Sequence, residues 1–141
     1  MSRKSARELI FKMLFAIDVG GNTIDEASQI VLARPMKEDQ KRYILNQING
    51  ILKNQVMIDQ IINKYSTDWE LERLAATDRN ILRIAIFEML FCGDIPISVS
   101  INEAIEIAKR YCEQKSYKFI NGLLGSVARE NKQMNKQEVY C

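Results

Sequence analysis

Residues 81–91 constrain this chain more than any other stretch. Ile81, Leu82, Ile84, Ala85, Ile86, Phe87, Met89, Leu90 and Phe91 surround a helical axis, with Arg83 and Glu88 the only charges. A helix that is apolar on every side must be wrapped by other elements or pressed against an interface. In a chain of 141 residues the pattern predicts a central helix with some apolar face left for a partner, and Glu88 beside that face to orient it. The rest of the sequence must then supply the wrapping.

It is patterned to do so with helices. Ala6, Leu9, Ile10, Met13, Leu14 and Ile17 recur at spacings of three and four and stop at Gly20-Gly21. Ser5 with Glu8, Thr23 with Glu26, and Ser100 with Glu103 have capping-box spacing, predicting helix starts at each; the second helix ends just before Pro35. The series Ile44, Leu45, Ile48, Ile51, Leu52, Ile58, Ile61, Ile62 weakens at Asn54-Gln55, which favours two consecutive helices. Asp68 is suited to cap a short turn holding Trp69 and Leu71, and Thr77 or Asp78 to cap the central helix. Ile101, Ala104, Ile105, Ala108 and Tyr111 form one helical face, and Ser116 precedes a last helix built on Phe119, Leu123, Leu124 and Val127. No segment has a convincing strand alternation. The expectation is one all-α domain over residues 1–130, open to a division into two small bundles, followed by a polar tail over 131–141.

Composition closes off much chemistry. There is no histidine, so Ser-His-Asp triads, Cys-His pairs and histidine metal sites are excluded. Cys92, Cys112 and Cys141 are odd in number and far apart, matching neither a disulfide framework nor a Cys-x-x-Cys knuckle; a reducing, cytoplasmic setting is the simplest expectation. Lys4, Arg7, Glu8 and Lys12 interrupt the first apolar positions, so no signal peptide or membrane span is expected. Phosphate-binding glycine loops and calcium loops are missing, and carboxylate pairs such as Glu70/Glu72 and Glu103/Glu106 have no converging polar companion. The sequence therefore gives little ground for an enzyme, and no catalytic residue, cofactor or metal is expected.

Charge distribution says more than the net +2. Residues 1–16 hold Arg3, Lys4, Arg7 and Lys12 against Glu8, a net of +3, and residues 109–136 reach +5, while residues 68–106 stand at −5. Cations at a helix start oppose the helix dipole. A docked phosphate would convert that arrangement into a polyanion site; a solubilising terminus is the alternative. Tyr111, Tyr117 and Phe119 interleave with Lys109, Arg110, Lys115 and Lys118, a mix suited to single-stranded RNA, although Tyr111 and Phe119 also fit buried helix faces. Gly122 and Gly125 inside a helix call for close helix packing or close approach of a ligand.

The stretches 81–88 (Ile-Leu-Arg-Ile-Ala-Ile-Phe-Glu), Ile95-Pro96, 101–109 (Ile-Asn-Glu-Ala-Ile-Glu-Ile-Ala-Lys) and 118–124 (Lys-Phe-Ile-Asn-Gly-Leu-Leu), with Ser5-Ala-Arg-Glu8 at the start and Trp69 before Arg73-Leu74, together resemble the NusB family. The resemblance implies an all-α, NusB-like fold of about seven helices in two small packed bundles. It also implies a transcription antitermination factor that binds boxA RNA of ribosomal RNA leaders with NusE, a small-subunit ribosomal protein, and through it the RNA polymerase antitermination complex. Carried onto this sequence, the family's RNA contacts fall on Arg3, Lys4, Arg7, Ser116, Tyr117, Lys118 and Phe119. Its NusE contact falls on Glu88, with Phe87 and Phe91 as neighbours. The family's arginine-rich start is thinned here, and Gly125 stands where an acidic residue is common. The competing expectations are a helical protein-protein adaptor or homodimer without specific RNA binding, and a module of an RNA methyltransferase whose catalytic half this sequence does not contain.

Overall fold

The computed structural model describes residues 1–66 and 74–131. The expected Asp68/Trp69/Leu71 turn and the tail from residue 132 onward lie outside the described residues. Among the described residues there are seven helices and no strand: α1 (Arg3–Asp18), α2 (Ile24–Val31), α3 (Glu38–Lys53), α4 (Gln55–Tyr65), α5 (Ala76–Phe91), α6 (Ile97–Tyr111) and α7 (Gln114–Asn131). No described helix is long and apolar enough to cross a membrane.

α5 is the axle. It touches α1, α3, α4, α6 and α7, while α1 also packs on α2 and α3, and α7 on α4 and α6. Every residue from Asn80 to Phe91 is buried, so the all-round apolar pattern is satisfied by wrapping. Ile10, Met13 and Leu14 of α1, Ile44, Ile48 and Ile51 of α3, Ile58 and Ile62 of α4, and Ile120, Leu124 and Val127 of α7 complete one continuous core around it.

Local signals explain the boundaries, with some shifts. α1 is capped by Ser2, whose Oγ accepts from the Ser5 N–H at 3.2 Å, so the Ser5–Glu8 spacing is not the start that sequence suggested. α1 ends where Gly21 adopts a φ of 69° and where a Cβ on Gly20 would lie 2.5 Å from the Ala16 carbonyl oxygen. The Thr23–Glu26 capping box forms with both reciprocal bonds. Asn54 separates α3 from α4, as the weakened periodicity predicted. α5 begins at Ala76 without a side-chain cap, so Thr77 and Asp78 sit inside its first turn. α6 begins directly after Pro96, whose fixed φ suits a helix entrance, and this places Ser100 a full turn inside the helix, where it is buried. The two α7 glycines do not serve close helix packing: a Cβ on Gly122 would meet nothing within 4 Å, and one on Gly125 only the end of Arg129.

Two polar clusters pin the axle at its ends. Near its start, Arg79 and Arg83 each form a two-point pair with a carboxylate. Arg79 donates to Asp18 at 2.6 and 3.0 Å and Arg83 to Asp59 at 2.9 and 3.0 Å, while Arg83 and Asn80 also donate to Asp18. Burial works against the Asp18 carboxylate, but these donors outweigh it and hold its pKa below the ordinary value. Near its end, Arg7 donates to Glu88 Oε2 at 2.7 Å and Ser100 donates to Glu88 Oε1 at 2.9 Å.

Candidate nucleic-acid interface

The side chains expected to meet RNA are not brought to one place. Arg7 is 5% exposed and Glu88 1%, and they are paired with each other; neither is a surface residue. Phe87 and Phe91 are buried as well, with ring centroids 5.2 Å apart. The apolar face expected to stay open on α5 beside Glu88 is covered among the described residues, because α1 and α6 pack over it and supply Glu88 with both of its hydrogen bonds. Arg3 turns toward α3, donating to Asp94 at 2.7 Å and lying over the Tyr43 ring at 5.6 Å from its centroid. The Asp94 hydrogen bond raises the Arg3 pKa further.

Lys4, by contrast, lies on the side of α1 that faces α6 and α7. It lines a groove of about 620 Å³ with Asn102, Glu103, Ile105, Glu106 and Lys109 of α6 and Tyr117, Lys118 and Asn121 of α7. The α1 end of this groove is set by a clasp one turn along. Glu8 accepts from Tyr111 Oη at 2.5 Å and from Arg110 Nη1 at 2.7 Å. The Tyr111 hydrogen bond, with Arg110 adding charge, keeps Glu8 below its usual carboxylate range and raises Tyr111. The α7 side is set by Tyr117, whose Oη donates to the Lys109 carbonyl at 3.3 Å while its ring remains half-exposed at the groove.

Lys4, Lys109 and Lys118 are exposed ammonium groups spread over three helices, and among the described residues Lys4 and Lys118 make no ion pair. Such groups can take phosphate oxygens, and Tyr117 offers a stacking face between them. Lys4 also stands in the first turn of α1, which holds no acidic residue, so the free N–H groups there add to the positive field. Asn102, Glu106 and Lys109 lie on one stripe of α6 at spacings of four and three. That stripe was the available sequence signal for the α6 wall, which the expected site left out.

Ser116 and Phe119 point elsewhere. They line a second cavity of about 610 Å³, with Leu74, Ala75, Thr77, Asp78, Tyr111, Cys112, Glu113 and Lys115. Ser116 Oγ donates to Asp78 Oδ2 at 3.0 Å and the Cys112 thiol also interacts with this carboxylate, whose Oδ1 is buried without a further hydrogen-bond partner among the described residues. Burial pushes the neighbouring Cys112 thiol up to about 12, which leaves it protonated and unreactive. Tyr111 continues this cavity into an aromatic row, with Phe11 at 5.0 Å between ring centroids and Phe15, 36% exposed, at 6.4 Å from Phe11. The wall is largely apolar with one unsatisfied acceptor, a composition suited to a protein partner.

Comparison with known proteins agrees with this architecture. The NusB family pattern matches residues 4–129. The transcription antitermination protein NusB of Chloroherpeton thalassium is 42% identical over 134 residues, covering 94% of this chain, which in turn spans 64% of that relative's length. The solved structure of T. maritima NusB superposes with a TM-score of 0.86 at 40% identity, covering 92% of each chain. A structure of the antitermination factors NusB and NusE in complex with dsRNA matches with a TM-score of 0.82 at 25% identity, covering 91% of this chain and 96% of that one. With its fold, its central helix and nearly all of its described length accounted for in this way, the chain belongs to the NusB family.

Proposed function

We propose that this chain is a transcription antitermination factor that binds boxA RNA of ribosomal RNA leader transcripts together with NusE, and through NusE joins the RNA polymerase antitermination complex. The observation that carries the reading is the groove where Lys4, from the start of the chain, meets Lys109, Tyr117 and Lys118 from its last two helices. Lysines take the phosphates, and Tyr117 takes a base. A family relative whose structure was solved with NusE and dsRNA supports the pairing of a NusE partner with RNA.

The two partners use different surfaces. RNA occupies the lysine groove. NusE docks on the cavity between α5 and the α6–α7 turn, where a donor from the partner satisfies Asp78 Oδ1 and apolar groups cover Phe15 and Phe119. A buried acceptor left unpaired costs about 1–3 kcal/mol, which such a donor recovers. With three lysines contributing, the RNA anchor is modest, and linking it to a second bound partner raises the effective affinity.

The test is binding of boxA RNA and NusE, measured separately and together by fluorescence anisotropy. The expected result is specific boxA binding that tightens with NusE, and loss of NusE binding without loss of RNA binding on Asp78→Ala. Equal affinity for boxA and scrambled RNA, with or without NusE, overturns the reading in favour of a protein-only adaptor, and light scattering then shows whether that partner is a second copy.

A further inference from the structure

The groove contains two carboxylates that a phosphate-binding surface does not need. Glu106 is exposed and engaged with Lys109 at 3.5 Å. Glu103 is different: it is half-buried in the groove wall, and among the described residues it makes no hydrogen bond or ion pair, although Lys4 and Lys118 line the same groove. A lone carboxylate here repels every phosphate that the lysines attract, so it lowers affinity for a nucleic-acid backbone. It contributes only if it meets something that donates hydrogen bonds.

A nucleobase edge is such a donor. Ionised carboxylates accept and cannot donate, and the exocyclic amino groups of cytosine, adenine and guanine supply N–H donors on the edges that single-stranded RNA exposes. Uracil presents its single N–H between two carbonyl acceptors, which face a carboxylate unfavourably. The neighbours fit this division of labour. Tyr117 provides a stacking face in the same groove, and Asn102 and Asn121 can each donate and accept. The groove, about 620 Å³, has the size of a small-molecule pocket and so can take a base as well as backbone.

We propose that Glu103 is a specificity-determining residue of the RNA groove, accepting a hydrogen bond from the exocyclic amino group of one unstacked base and thereby rejecting uracil at that position. This rests on the RNA reading above and adds a chemical selectivity to it. Lys4, Lys109 and Lys118 set how tightly RNA is held, and Glu103 sets which base is held.

The experiment is a substitution scan on the full chain with a short single-stranded boxA RNA, each cytosine, adenine and guanine replaced in turn by an analogue lacking the amino group. One position is expected to lose about tenfold in affinity, the scale of a good base contact. In Glu103→Ala that loss disappears, while the RNA carrying the analogue binds as tightly as to the unaltered protein, or more tightly. A thermal melt of Glu103→Ala matching the parent shows that the fold is unchanged. The proposal is overturned if Glu103→Ala retains the tenfold loss, or if it tightens the two RNAs equally, which marks Glu103 as a source of repulsion alone. Failure of the unaltered protein to bind any RNA overturns the RNA reading itself, and this proposal with it.

Discussion

Arg7 and Lys4 are three residues apart on the same helix, and they do opposite things. Arg7 points into the molecule, pairs with Glu88 and is 5% exposed; Lys4 lies in the groove between α1, α6 and α7 and makes no ion pair among the described residues. The contrast extends beyond one helix. Arg7, Arg79 and Arg83 hold α5 to its neighbours, while Lys4, Lys109 and Lys118 face the open groove. A guanidinium can satisfy a buried carboxylate with a planar fork of donors, and it is less strongly hydrated than an ammonium. Lysine keeps its charge in water and remains available to an incoming phosphate. A basic segment therefore divides into structural and binding cations by which way each residue faces, and net charge does not reveal the division.

The strongest test of that division is Arg7→Ala. Removing it strands the Glu88 carboxylate, itself 1% exposed, and breaking a buried pair from one side costs about 3–5 kcal/mol. Urea denaturation should register that loss, while the salt dependence of RNA binding by the folded fraction stays unchanged. A double change, Arg7→Met with Glu88→Leu, should recover most of the stability, because an apolar pair of similar volume avoids the desolvation cost. If Arg7→Ala instead keeps its stability and flattens the RNA salt dependence, the two classes of cation are misassigned.

Tyr117→Ala tests the groove from its uncharged side. Loss of one stacked base should weaken RNA binding by about 1–3 kcal/mol with little effect on its salt dependence, since no phosphate contact is removed. Titration at two salt concentrations separates the outcomes.

A smaller effect is expected from acid. The folded-state pKa of Asp18 is depressed, so its pairing with Arg79 and Arg83 contributes stability above its unfolded value near 3.8, and that contribution is lost as pH falls through the folded value. Denaturation midpoints followed downward from pH 5 should drop, and Asp18→Asn should flatten the drop. No change in slope would remove Asp18 from the set of stabilising pairs.

How far the sequence revealed this molecule depends on the range of the signals. The helices were legible because their evidence is local: the three-four spacing in α1, the Thr23–Glu26 box that starts α2, the weak point at Asn54, and the unbroken apolar surface of α5. Glu88 was misplaced for the opposite reason. A single charge on an apolar helix reads as surface, and the residue that pays its desolvation cost lies 81 positions away. Ser100 illustrates the same effect at shorter range, since its capping-box spacing is genuine but its hydroxyl is spent on Glu88. Of the residues lining the lysine groove, Lys4, Tyr117 and Lys118 were readable from charge and aromatic interleaving. Ser116 and Phe119 are adjacent to them in sequence but turn with the helix toward the other cavity, which only the register of α7 decides.

The most direct test of the account is the salt dependence of boxA affinity for the double variant Lys4→Ala/Lys118→Ala, compared with the unaltered chain. The account predicts an unchanged melting temperature and a log-log slope shallower by about 1.4, at roughly 0.7 for each single-strand phosphate contact removed. An unchanged slope, with RNA still bound, would contradict it.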